Sequence, residues 1–111
     1  MKPDVMADRR DAPRYPLILI AEITEILSGT KMMARTSDVS RTGCYLDTLK
    51  PAPKGTMIQL RLTRGKETVE TQARVVYVSP GLGMGVRFHE YVTANQLTVL
   101  DQWLGEASRQ A

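Results

Sequence analysis

The sequence predicts an all-β fold, made mainly of strands: a six-stranded antiparallel barrel followed by one C-terminal α-helix. Runs of alternating apolar and polar residues recur along the chain, and turn-forming Gly, Pro and Ser clusters separate them. Only near the C-terminus does the apolar period lengthen to that of a helix. Short strands in an open sheet would leave two unpaired edges, and closure into a barrel removes them.

Residues 1–14 are polar, contain Pro3 and Pro13 and show no periodicity, so they read as a flexible arm ahead of an organised domain over residues 15–111. The first strand is expected from Tyr15 to Leu27, with Leu17, Leu19, Ala21 and Ile23 on one face. Ser28-Gly29-Thr30-Lys31 supplies a turn, and residues 32–38 return as the second strand. Residues 43–47 form a short third strand, and Pro51 and Pro53 then stop pairing in the loop that follows. In the fourth strand Ile58, Leu60 and Leu62 face inward, and Arg64-Gly65-Lys66 turns the chain back. The fifth carries Val69, Thr71, Ala73, Val75 and Tyr77 on one face, and the sixth points Met84, Val86 and Phe88 inward. A helix is expected over about residues 93–108. Thr93 and Gln96 have the spacing of a capping box, while Leu97, Leu100, Trp103, Leu104 and Ala107 fall on one stripe that covers a face or opening of the barrel.

A chain of 111 residues suits one domain, and its 42% hydrophobic and 24% charged residues are ordinary globular values. No segment approaches the roughly 20 apolar residues of a membrane helix, so no membrane insertion is expected. Charges interrupt the N-terminus too often for an export signal, and the single cysteine, Cys44, suits a reducing compartment, which makes the expected location cytoplasmic. The net charge of +3 tolerates an anionic partner without requiring one.

Two motifs carry the functional reading: Arg10-x-x-x-Arg14 before the first strand, and Asp38-Val39-Ser40-Arg41-Thr42-Gly43 after the second. A hairpin turning about Gly29 and Thr30 would bring Gly43 opposite Pro16, with Arg14 as a near neighbour of the second motif. These residue types suit a guanine nucleotide. An arginine fork donates two parallel hydrogen bonds to guanine O6 and N7 or to a phosphate, and its flat face stacks on a base. The Asp38 carboxylate accepts from the donors on guanine's other edge, Ser40 adds a hydroxyl, and Gly43 permits close backbone approach. Asp38 and Ser40 are equally the residues of a side-chain-capped turn, and Arg10 and Arg14 of a solvated arm.

With these motifs, and with the closing Gly83-Met84-Gly85-Val86-Arg87-Phe88 strand, nearly the whole chain resembles the PilZ domain family of bacterial cyclic di-GMP receptors. The resemblance implies a six-stranded barrel with a C-terminal helix, no catalysis, no cofactor beyond the ligand, and cyclic di-GMP held between the arginine arm and the barrel. It also implies an arm that the ligand orders, altering a surface seen by a downstream protein partner. In such domains the residue before the first motif arginine influences whether one nucleotide or a stacked pair is held. Here it is Arg9, a long cation, which predicts two molecules per domain. The sequence departs from the commonest pattern at Thr42, where glycine is frequent, and by placing Pro13 inside the arginine spacing.

The expected ligand set is Arg9, Arg10, Arg14, Asp38, Ser40 and Gly43, with Arg41 and Arg87 balanced between ligand contacts and plain surface charges. Lys31 and Arg35 read as surface charges. Cys44 reads as a small buried residue, since His89 is the lone histidine and lies far along the chain, and the same lone histidine gives no multi-histidine metal site. Met32, Met33 and Met57 read as core filler, Trp103 as core or partner surface, and Gly81, Gly83 and Gly85 as places of bending or close packing. Two other functions are compatible with the chain. One is a ligand-independent adaptor acting through protein contacts. The other is a small nucleic-acid-binding barrel, ranked last because no aromatic platform is spare.

Overall fold

The computed structural model describes residues 12–88 and 93–110. The strands are β1 (Tyr15–Pro16), β2 (Ile20–Glu25), β3 (Lys31–Val39), β4 (Gly43–Asp47), β5 (Met57–Arg64), β6 (Glu67–Ser79) and β7 (Gly83–Phe88), and one helix, α1 (Ala94–Gln110), follows them. Every pairing is antiparallel. Strands β3, β2, β5, β6, β7 and β4 pair in that order, and β4 pairs back onto β3, which closes a six-strand barrel.

The expected first strand is present in two pieces. Both β1 and β2 lie along β3, but Ile18 is an extra residue between them: Thr36 N–H bonds to Leu19 O at 3.0 Å and Leu17 N–H to Ser37 O at 3.3 Å. The buried Thr36 hydroxyl fills the break, donating to Leu17 O at 2.7 Å and accepting from Leu19 N–H at 2.8 Å. A bulge of this kind bends a strand and leaves its extra residue unpaired, and Ile18 is accordingly exposed.

Alternation builds the core. Leu19 just ahead of β2, Ala21 and Ile23 within it, Ile58, Leu60 and Leu62 from β5, Val69, Ala73 and Val75 from β6, and Met84, Val86 and Phe88 from β7 are all buried, as the sequence pattern predicts. Cys44 is buried among them. Of the three methionines read as core, Met32 packs against it, whereas Met33 is 62% exposed because it sits on the outward parity of β3.

Helix α1 lays Leu100, Trp103, Leu104 and Ala107 onto the barrel. Its polar flank is pinned at several points: Trp103 Nε1–H donates to Glu67 Oε1 at 2.8 Å, and Arg64 bonds to Glu106. The start of α1 uses half of the expected capping box. Thr93 Oγ1 accepts from Gln96 N–H at 3.4 Å, but the Gln96 side chain turns to the sheet and accepts from Glu70 N–H. No helix among the described residues is long and apolar enough to cross a membrane.

Candidate functional site

The register of the first hairpin places the site. Its turn closes with Glu25 N–H on Thr30 O at 2.8 Å and Gly29 N–H on Glu25 O at 2.8 Å, with Gly29 at φ 76°. This loop, residues 26–29, is centred two residues earlier than a turn about Gly29 and Thr30, and the extra residue Ile18 shifts the register by one more, so Pro16 stands opposite Asp38 and the expected pairing of Gly43 with Pro16 does not occur. In this register Arg14 meets the second motif directly: its Nε lies 3.3 Å from Asp38 Oδ1.

Two bulges then select what the outer wall presents. Ser37 is the extra residue where β3 pairs with β4, between Thr36 and Asp38. Strict alternation from the buried Thr36 would point Asp38 into the barrel; with the extra residue Asp38 faces outward and Val39 takes the core position. Val76 does the same on β6, between Val75 and Tyr77. The expected inward position of Tyr77 is therefore corrected: its ring lies outside, and Val78 packs inward. Nothing in the alternation marks this bulge, although the adjacent apolar residues Val75, Val76 and Val78 break a strict period of two.

Asp38 is opposite Tyr45, Tyr45 opposite Gly85, and Gly85 opposite Tyr77, so these four residues form one rung across the outer wall. The Tyr45 and Tyr77 ring centres are 6.0 Å apart with planes tilted by 32°. Gly85 makes room for this pair, because a Cβ there would stand 2.2 Å from Tyr77 Cε2. The adjacent outward rung holds Gly43, Arg87 and Arg74. A Cβ on Gly43 would stand 2.2 Å from the Val86 carbonyl oxygen, so this motif glycine is required by the close approach of β4 and β7.

Between these rungs and the incoming chain runs a groove of about 380 Å³, lined by Arg14, Ser40, Gly43, Tyr77, Gly85 and Arg87 among others. Arg14 reaches across it. The guanidinium is held above its ordinary pKa chiefly by the hydrogen-bonding contact with the Tyr77 hydroxyl; partial burial opposes this, and the Asp38 carboxylate adds to the rise. Asp38 Oδ1 is buried, and although Arg14 sits at ion-pair distance, no described group donates a hydrogen bond to it. A buried acceptor without a donor is costly in a folded protein and is characteristic of a site completed by something else.

Ser40 has a different position. It is 4% exposed, and its Oγ accepts from Thr42 N–H at 3.1 Å and Gly43 N–H at 3.2 Å, while its own N–H bonds to Gly43 O at 2.8 Å. The serine shapes the motif loop in the way of a side-chain-capped turn. Arg41 points to α1, where Nε donates to Asp101 Oδ1 at 2.8 Å and Nη2 to Oδ2 at 3.4 Å, tying the loop to the helix. Arg87 lines the groove and Arg35 pairs with Asp47 at 3.8 Å. Arg9 and Arg10 lie outside the described residues, as does His89.

The Cys44 thiol, behind the groove, is pushed well above its ordinary range by burial, with Asp38 adding to the rise and Arg14 opposing it. Its folded pKa is thus raised relative to the ordinary 9.0, so ionisation of the unfolded chain above about pH 9 draws the equilibrium toward unfolding, and the contribution to stability is complete only below that pH. Urea unfolding of the protein and of Cys44→Ala at pH 8, 9 and 10 should show the stability gap between them shrinking by at most about 1.4 kcal/mol per pH unit. A gap constant over this range would contradict the burial of the thiol.

A closed antiparallel barrel with a helix laid on it and a basic groove on its outer wall is a known class of small module. The PilZ domain family model matches residues 8–106, and the chain belongs to that family. Solved structures agree in fold. The PilZ domain of YcgR from Escherichia coli, solved with c-di-GMP, superposes with a TM-score of 0.74 at 18% identity, covering 92% of this chain and 93% of that one. The PilZ domain of CeSA from a cellulose-synthesizing bacterium gives 0.65 at 20% identity, with 84% and 96% covered. The Bacillus subtilis inhibitor of motility, MotI (DgrA), gives 0.71 at 17% identity, and there the match covers 88% of this chain but 51% of the other. No curated protein matches the chain.

Proposed function

We propose that this chain is a non-catalytic receptor for cyclic di-GMP. The observation that carries the reading is Asp38 Oδ1, a buried acceptor without a donor among the described residues, next to Arg14 of an arginine-lined groove. A guanine base offers two adjacent N–H donors on one edge, the chemistry this oxygen requires, and its O6 and N7 accept from an arginine fork on the other. Family membership and the c-di-GMP with which the YcgR domain was solved support the choice of nucleotide.

In this reading Arg14 leaves Tyr77 to clasp the nucleotide, Arg10 closes on it from the preceding segment, and Arg9 reaches a second molecule, giving two nucleotides per domain. Arg87 adds positive charge on the groove's far side. The motif loop is joined to α1 through Arg41 and Asp101, so a ligand that shifts the loop also shifts the helix, and the altered helix surface is what a downstream partner reads. Saturating cyclic di-GMP should raise the melting temperature, with a stabilisation of about 2.7 kcal/mol for each nucleotide site whose Kd the free ligand exceeds 100-fold, while GMP and cyclic di-AMP leave it nearly unchanged. Calorimetry should saturate at two nucleotides per chain; one per chain would remove the role given to Arg9.

A further inference from the structure

Arg14, Arg35, Arg41, Arg61 and Arg64 each sit against a carboxylate. Arg74 and Arg87 differ. They face each other directly across β6 and β7, both are exposed, and neither has an acidic partner among the described residues. Side chains so placed have Cβ atoms roughly 5 Å apart, and like charges there destabilise the sheet. On its other side Arg87 faces Gly43, which has no side chain, so the rung runs from bare backbone to two adjacent guanidinium groups. Two forks at this spacing can converge on one phosphate, and no side chain at Gly43 stands between Arg87 and the motif loop. The adjacent outward rung carries Asp38 and Tyr77, so the two cations lie beside the place proposed for the base.

We infer that Arg74 and Arg87 together form a phosphate subsite that takes a phosphodiester group of the cyclic dinucleotide; this rests on the receptor reading above. The repulsion between them is then relieved by the bound anion. The phosphate belongs either to the nucleotide whose base meets Asp38 or to a second one, and the stoichiometry tells which.

The test is titration calorimetry with cyclic di-GMP on the full chain, unsubstituted and as Arg74→Ala, Arg74→Lys and Asp38→Ala, together with the melting temperature of each without ligand. Arg74→Ala should weaken binding about ten-fold. Arg74→Lys should recover part of the loss, since it restores the charge but not the fork. The ligand-free melting temperature of Arg74→Ala should be unchanged or higher, which a residue serving the fold would not show. A fall in the saturating ratio from two to one assigns the phosphate to the second nucleotide; an affinity loss at constant ratio assigns it to the first. Unchanged affinity and ratio in Arg74→Ala, with binding lost in Asp38→Ala, overturns this inference alone. A lowered ligand-free melting temperature in Arg74→Ala also overturns it. Absence of binding by the unsubstituted protein overturns it together with the receptor reading.

Discussion

Trp103→Ala is expected to lower the free energy of unfolding by about 3–5 kcal/mol. The indole is fully buried between α1 and the barrel, among the other apolar residues of the helix stripe. Truncation removes its transfer free energy and leaves a cavity that the closed barrel cannot collapse to fill. It also takes away the Nε1–H that Glu67 accepts at 2.8 Å. Against a total of roughly 5–15 kcal/mol for a domain, such a loss leaves a large unfolded fraction. Urea unfolding followed by far-ultraviolet circular dichroism measures it, a suitable probe because Trp103 is the one tryptophan in the chain. Trp103→Phe should cost much less, since most of the volume remains, and equal costs for the two substitutions would contradict this packing.

Asp38→Ala is expected to weaken cyclic di-GMP binding by roughly ten-fold or more, the worth of about 1–3 kcal/mol for one base-edge contact. The fold should survive, because the side chain lies on the outer wall, over a third exposed, and its described charge partner is the similarly open Arg14. The far-ultraviolet spectrum of the variant should match that of the unsubstituted protein. Loss of binding with an unchanged spectrum separates a ligand contact from a turn-former, which is the role that Ser40 fills in this loop.

The contrast between Asp38 and Ser40 shows how far the sequence reaches. Strand identity and the faces of β2, β5 and β7 were legible because burial on one side forces a period of two, and Ile58, Leu60 and Leu62 follow it without exception. The helix was legible for the same reason at its own period, from Leu100 through Ala107. What escaped was set by single extra residues. Ile18, Ser37 and Val76 each shift a register by one, and no local composition distinguishes a bulged residue from a paired one. Tyr77 was misplaced for this reason, and with it the aromatic pair beside the groove. Arg14 and Asp38 were brought together through a register different from the expected one, since Pro16, and not a residue further along, stands opposite Asp38. Motif spacing marked which residues meet; the bulges decided which way they face.

The central claim, that the groove between the two motifs receives cyclic di-GMP, is tested most directly by isothermal titration of the unsubstituted protein alongside Arg10→Ala. Saturable binding, weakened about ten-fold or more in Arg10→Ala, is the expected result. No detectable heat of binding from the unsubstituted, folded protein at concentrations that saturate a known receptor would contradict it.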